Sequence, residues 1–299
     1  MSKPSNRIGS FMNDQTRVAY FFIMPSMLIF AVFVFVPMIV AFIFSVFDFN
    51  IMLDNFKFVG LKHFFTAFGE KRVWNAMYNT TYYTIFHVIL QVTLSLIIAV
   101  LIKDKSKFNV FLRGTYFLPV VCSMTVVSLV WMFLLDSNIG AIALYLRQFG
   151  INAKFLDDPN QAMPVVILVS VWKSFGFSMV IFLAAVQAIP ESYYEAADID
   201  GINNFQKLMK ITIPLIMPTL GFVTINSVIG SFQVFDQIFV MTDGGPIYRT
   251  ETMVHFIYNV AFKDLKLGYA SALSVILFLV ILVVSLITFK RTSTDKNIY

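Results

Sequence analysis

Residues 189–218 read IPESYYEAADIDGINNFQKLMKITIPLIMP and lie between two long apolar segments. Thirty residues that hold four carboxylates and two lysines cannot sit in hydrocarbon, so this stretch lies outside a bilayer that its neighbours cross. Within it, Ser192 and Glu195 have the spacing of a capping box at the start of a short helix. Gly201 supplies a stop, because it adopts the left-handed cap conformation without a Cβ clash. Asn203 or Asn204 can cap a second helix, with Phe205, Leu208, Met209 and Thr212 on one face and Lys207 and Lys210 elsewhere. Ala196 and Ala197 leave the first helix with a low-relief surface that another protein could approach closely.

The rest of the chain agrees with a membrane setting. Of 299 residues, 58% are hydrophobic and 13% charged, too little polar surface to cover a water-soluble body of that size. Crossing about 30 Å of hydrocarbon takes about 20 residues. Suitable segments occur at residues 18–47, 78–102, 109–135, 162–188, 214–241 and 269–289, which predicts an all-α polytopic protein with six transmembrane helices. The unbroken apolar runs 94–102 and 275–287 lack the alternation of β-barrel strands. The first segment exceeds one span and contains Pro25 and Pro37, so it is expected to tilt, kink or begin in the interface. It is too long for a signal-peptide core and no small-residue cleavage site follows it.

Six spans put both termini on one side. That side carries 12 lysines and arginines against seven acids, and the opposite side nine of each. The positive-inside rule therefore makes the termini cytoplasmic. Cys122, the only cysteine, is expected within the third helix, which excludes an internal disulfide and cysteine-built metal sites. The basic excess is scattered over four short segments beside membrane ends, so no nucleic-acid partner is expected. With no tandem repeat and no long linker, residues 1–299 read as one transmembrane domain, its core at about 75–290 and its polar loop at 189–218. At 242–246, Gly244 and Gly245 allow positive φ and Pro246 prevents a helix from continuing.

Chemistry is sparse. There is no phosphate-binding G-x-x-x-x-G-K-[ST] loop, and His63, His87 and His255 form no metal-ligand pair, so no catalytic residue and no resident metal or cofactor is expected. The acids Glu191, Glu195, Asp198 and Asp200 lack calcium-loop spacing. Polar groups inside the spans remain. In the fourth helix Ser170, Lys173, Ser174 and Phe177 follow i, i+3, i+4, i+7 and share a face. There a ring can stack on a sugar while hydroxyls and ammonium bond its oxygens. In the fifth, Asn226, Gly230, Gln233 and Gln237 line one face, with Ser227 and Ser231 on its flank and Asp236 opposite. Lys173 either contacts solute, pairs with Asp236 to lock two helices, or snorkels.

At residues 195–201 the chain resembles a known family. Glu195, Ala196, Ala197 and Gly201, followed by Pro214, are similar to the EAA loop of the permease subunits of ABC importers. FDQIFVMTDGGP at 235–246, the pieces IYNVAF and GYASALS within 250–278, FVGLKHF at 58–64 and FLP at 117–119 resemble its carbohydrate branch, so the likeness covers most of residues 18–290. It implies a type I, maltose-permease-like subunit bearing the GGP loop, in the inner membrane of a prokaryote. It also implies an ATPase dimer holding ATP and Mg, a second permease and an extracytoplasmic solute-binding protein, with a sugar or oligosaccharide as cargo.

The resemblance assigns coupling to Glu195, Ala196, Ala197, Asp200, Gly201 and Pro214. It assigns the translocation path to Ser170, Lys173, Ser174, Phe177, Ser227, Ser231 and Gln233, and Asp236 joins these candidates as the charged group of the fifth helix that Lys173 could meet. A lysine is unusual in a neutral-sugar pocket and leaves room for an acidic or phosphorylated sugar. The alternative reading is an ion-gradient-driven secondary transporter with Lys173 and Asp236 as a titrating pair.

Overall fold

The computed structural model describes residues 14–49 and 56–293, with side chains from 19 to 290. The charges counted before residue 14 and after 293 lie outside the described residues. The chain opens with α1 (Asp14–Phe30), passes through a wide turn of π-helix at Ala31–Phe35 and continues as α2 (Val36–Phe44). The apolar window of this first span, Ala19–Phe44, has no residue buried inside the chain. A two-residue hairpin follows, β1 (Phe47–Asp48) on β2 (Lys57–Phe58), with Phe47 opposite Phe58. Then come α3 (Lys62–Gly69) and the 31-residue α4 (Lys71–Leu101). At 1.5 Å per residue α4 is about 46 Å long, so its first turns project beyond the hydrocarbon.

The third span is not the single helix expected at 109–135. It divides into α5 (Lys107–Val121) and α6 (Met124–Leu135), which meet at 96°. Pro119 removes an amide from the last turn of α5, and Cys122 and Ser123 are extended, with ψ of 144° and 138°. Cys122 thus stands exposed at an elbow rather than inside a helix. Next are α7 (Ala141–Arg147), a 3₁₀ turn at Phe155–Asp157, and α8 (Ala162–Gln187), which packs along α4 and against α5. At Gly176 an added Cβ would fall 2.2 Å from the Tyr116 carbonyl oxygen, so only glycine lets α5 lie this close to α8.

The polar loop forms α9 (Glu191–Ile199) and α10 (Asn204–Lys207). A π turn at Leu208–Thr212 leads to α11 (Ile213–Leu215), and α12 (Met217–Phe232) turns away by 77°. Pro214 and Pro218 stand in the first turns on either side of that bend, where a missing amide costs least. The expected fifth helix at 214–241 also ends early. Gln233 to Phe235 leave the helical path, and α13 (Asp236–Met241) starts anew. Last are α14 (Met253–Tyr258), a π turn at Asn259–Lys263, and α15 (Leu267–Ser293), which packs on α12 and α2.

Contacts sort the loops into two ends of one bundle. At one end, the Gln187 side chain bonds the Lys103 carbonyl and the Lys103 ammonium lies 4.3 Å from the Tyr194 ring centre, joining Lys103 to the end of α8 and to α9. At the other, Asn75 and Asn79 of α4 bond the Tyr248 carbonyl, and Tyr269 bonds Glu70. Arg72 makes a bidentate pair there with Glu251, at 2.8 and 2.7 Å, and its guanidinium lies 4.5 Å from the Tyr248 ring centre. Glu251 is 1% exposed. In the loop between α13 and α14 the positive φ values fall at Asp243, Gly244, Ile247 and Tyr248; Gly245 does not need one. Gly244 admits the His255 ring, which would lie 2.9 Å from an added Cβ.

Candidate functional site

Between α4, α8, α12 and α13, behind the elbow of α5 and α6, lies a cavity of about 320 Å³. Four of its lining residues, Ser170, Lys173, Ser174 and Phe177, come from the one face of α8 read from the sequence. Ser227 and Ser231 join them from α12, with Asn226 and Gly230. Gln233 and Asp236 do not line it; both are exposed, because the helix they were assigned to ends at Phe232. Gln237 does reach it, although from α13 rather than from a continuous fifth helix. Lys173 and Asp236 form no ion pair among the described residues.

The remaining wall is α4, which the sequence reading passed over. Tyr83, His87 and Gln91 line the cavity at intervals of four, within a longer buried series Asn79, Tyr83, His87, Gln91 and Ser95. A polar stripe at helical spacing in an apolar span was the available signal. It ties three helices together. His87 lies 2.8 Å through Nδ1 from the Ser231 hydroxyl and 3.2 Å through Nε2 from that of Ser174, while Tyr83 stacks on its ring at 9°. Gln91 donates to the Ser178 hydroxyl at 3.0 Å, and Ser95 to the Phe175 carbonyl at 2.8 Å. Gln237 donates to the Tyr83 oxygen at 2.8 Å and to Ser170 at 3.2 Å.

Ser170, Ser174 and Ser231 each donate at 2.7 Å to the carbonyl four residues earlier. Their oxygens keep lone pairs that can accept from hydroxyl or ammonium donors in the cavity. Lys173, half-buried on the same wall, is the only charged side chain among the lining residues.

The polar loop sits on the ends of the helices that wall the cavity, since α8 runs into α9 and α10 runs through α11 into α12. Its first helix is capped differently from the expectation. Pro190 is the N-cap and makes no side-chain bond, so Ser192 and Glu195 form no capping box. Its stop is as read. Gly201 has φ +69°, and Ile202 and Gly201 donate to the carbonyls of Ala197 and Asp198. Asn203 caps α10 in a reciprocal box with Gln206. The shared face of the second helix divides, because the π turn shifts its register. Thr212 is buried and bonds Tyr194 at 2.9 Å, whereas Phe205 and Met209 are exposed. Lys207 pairs with Asp198 across the two short helices. Glu195, Ala196 and Asp200 are exposed, Ala197 is buried and Pro214 half-buried. Tyr193, Ile199 and Phe205 add an apolar surface, Ile199 being 87% exposed. A groove of about 690 Å³ runs beside α9 along residues 103–105.

Comparison with known proteins finds the family described as "Binding-protein-dependent transport system inner membrane component" over residues 6–290. The probable ABC transporter permease protein YurN of Bacillus subtilis is 31% identical over 290 residues, 95% of this chain and 99% of the relative. The sn-glycerol-3-phosphate transport system permease protein UgpA of Escherichia coli O6:K15:H31 is 31% identical over 235 residues, 78% and 80% of the two chains. Among solved structures, a chain of a bacterial alginate ABC transporter, in complex with an alginate pentasaccharide-bound periplasmic protein, superposes with a TM-score of 0.81. It is 22% identical, and 92% of this chain and 93% of that one are covered.

Proposed function

The chain belongs to the family of binding-protein-dependent transport system inner membrane components, and on that premise we propose that it is the membrane-spanning subunit of an ATP-driven importer of a sugar or oligosaccharide. The observation that carries this reading is mechanical. One pair of helices, α8 and α12, walls the polar cavity and also holds the exposed loop of α9 and α10, so force on the loop reaches the cavity through rigid elements. Residues 1–299 form one transmembrane domain with its coupling element at 189–218. A dimeric partner ATPase engages α9 at Glu195, Ala196, Ala197, Asp200 and Gly201, with Pro214 holding the bend behind them. A second permease completes the path, and a solute-binding protein delivers cargo at the opposite end. The loop end faces the cytoplasm of a prokaryote, as the basic excess there supports.

In this mechanism ATP binding closes the ATPase dimer and shifts α9, and α8 and α12 follow between inward- and outward-facing arrangements. Work is transmitted because the two arrangements differ in affinity for ATPase and solute. ATP hydrolysis belongs to the partner. Lys173 supports an acidic or phosphorylated cargo, in keeping with relatives named for sn-glycerol 3-phosphate and with a fold neighbour titled for alginate. The test is the complex reconstituted in liposomes. Glu195→Lys is expected to leave membrane insertion intact while ATP-dependent uptake falls at least about tenfold relative to ATP hydrolysis. Normal uptake by this variant would remove Glu195 from the coupling surface.

A further inference from the structure

We infer that the apolar groove between α6, α8 and the 3₁₀ turn at Phe155–Asp157 is a fixed site for an acyl chain of a membrane phospholipid. The groove encloses about 350 Å³. Trp131 and Leu135 of α6 line one side, Phe155 of the turn another, and Val165, Leu168 and Trp172 of α8 the third. On α8 these three follow i, i+3, i+7, nearly opposite the face of Ser170, Lys173, Ser174 and Phe177. The groove is therefore separate from the polar cavity and belongs to another face of the bundle. Apart from the two indoles, every lining side chain is pure hydrocarbon, so a sugar entering it would lose its hydrogen bonds with water and gain none.

Its position selects the occupant. Residues 165 to 172 lie about 5–15 Å along α8 from its end away from α9, which is the depth of acyl chains in one leaflet. Leu168 and Trp172 are exposed, so the groove opens onto the hydrocarbon-facing surface of a helix long and apolar enough to cross the membrane. A chain in the bilayer has already left water, so its preference for the groove comes from packing. Here the two indoles meet edge to face at 5.5 Å between centres, and with the Phe155 ring they touch a chain on several sides, where a convex helix touches it on one. Phe155 has φ +37°, a conformation that an aromatic residue adopts only where its surroundings hold it. Just before it, Lys154 is exposed and in no ion pair among the described residues, so its ammonium is available to the lipid phosphate. Asp157 is engaged by the Ser137 hydroxyl. A chain held here braces α6, the second arm of the elbow, against α8.

The experiment places the complex, purified with its membrane and ATPase partners, in nanodiscs of phosphatidylethanolamine and phosphatidylglycerol. A trace of the phosphatidylethanolamine carries a diazirine in its acyl chain, and peptide mass spectrometry maps the residues labelled on irradiation. Label on Trp131, Phe155, Leu168 and Trp172 is expected to exceed that on Phe133 of α6 and Val283 of α15, exposed residues outside the groove, by at least about fivefold. Val165→Phe, which fills the groove with a ring, should lose the groove label and keep the label elsewhere. Native mass spectrometry in detergent should then find fewer phospholipids retained by this variant than by the unsubstituted complex. Even labelling inside and outside the groove of the unsubstituted complex overturns the inference, since it means contact with bulk lipid only. Absence of groove label overturns it in favour of cover by the second permease. A groove label or lipid count unchanged in an assembled Val165→Phe complex overturns it as well, and the map of the unsubstituted complex decides where that variant fails to assemble.

Discussion

Arg72 and Glu251 meet in a pair whose two members live in different surroundings, the carboxylate 1% exposed and the guanidinium side chain 34% exposed. Removing one partner of such a pair strands the other, at about 3–5 kcal/mol when both are buried. Because Arg72 keeps some water, the lower part of that range is expected for Arg72→Met, read as a lower thermal midpoint in detergent. Adding Glu251→Gln should restore much of it. Asp243 sits in the same network. Burial pushes its carboxyl up, but the hydrogen bond from His255 and the nearby Lys263 ammonium outweigh that and hold it below its ordinary value. A depressed carboxylate contributes above its ordinary range and loses that contribution as pH falls through its folded value. Amide exchange over residues 244–250, corrected for intrinsic rates, should therefore rise below about pH 4, and Asp243→Asn should reproduce the rise at neutral pH. At Gly201 the backbone at φ +69° charges a side chain about 1–2 kcal/mol whatever space surrounds it, so Gly201→Val should loosen α9 even in the isolated chain. Single residues of this kind were legible when their role is local. Gly201 and the Asn203 cap could be read because a cap needs only its own turn, whereas the Arg72–Glu251 pair joins residues 179 apart and looked like two more surface charges.

Helices were legible in the sequence to the degree that one period ran through them. The face of α8 was read correctly because 26 residues keep a single helical phase. The face of α12 was carried too far, because the chain leaves the helix at Gln233, and Asp236 and Gln233 point out of the cavity in consequence. The break at Cys122 and Ser123 was missed for a different reason. An apolar count sees composition, and both arms of the bend are equally apolar. Its clearest tertiary witness is Gly176, which admits the Tyr116 carbonyl to within 2.2 Å of where a Cβ would stand. Gly176→Val must push α5 off α8, and about 1–3 kcal/mol of overpacking is expected. The check is a lower thermal midpoint, with proteolysis gaining access to residues 107–121.

Across the molecule, charged and amide groups gather in three places: the far end held by Arg72, the central cavity, and the loop end where Lys207 meets Asp198. Apolar faces cover the distance between them, and the first span lends none of its window to the interior. Deleting residues 1–35 should accordingly leave the packing of α4, α8 and α12 unchanged, as judged by the thermal midpoint of the remaining chain, while reducing recovery of the assembled complex. The elbow between α5 and α6 has a further, practical meaning. Its apex carries the sole thiol of the chain, exposed and next to Val120 and Met124 on the cavity wall. A single maleimide-linked fluorophore or spin label would thus report from the elbow itself on native sequence, with no cysteine to remove beforehand. Its mobility in the presence and absence of nucleotide would turn a static angle of 96° into a time course.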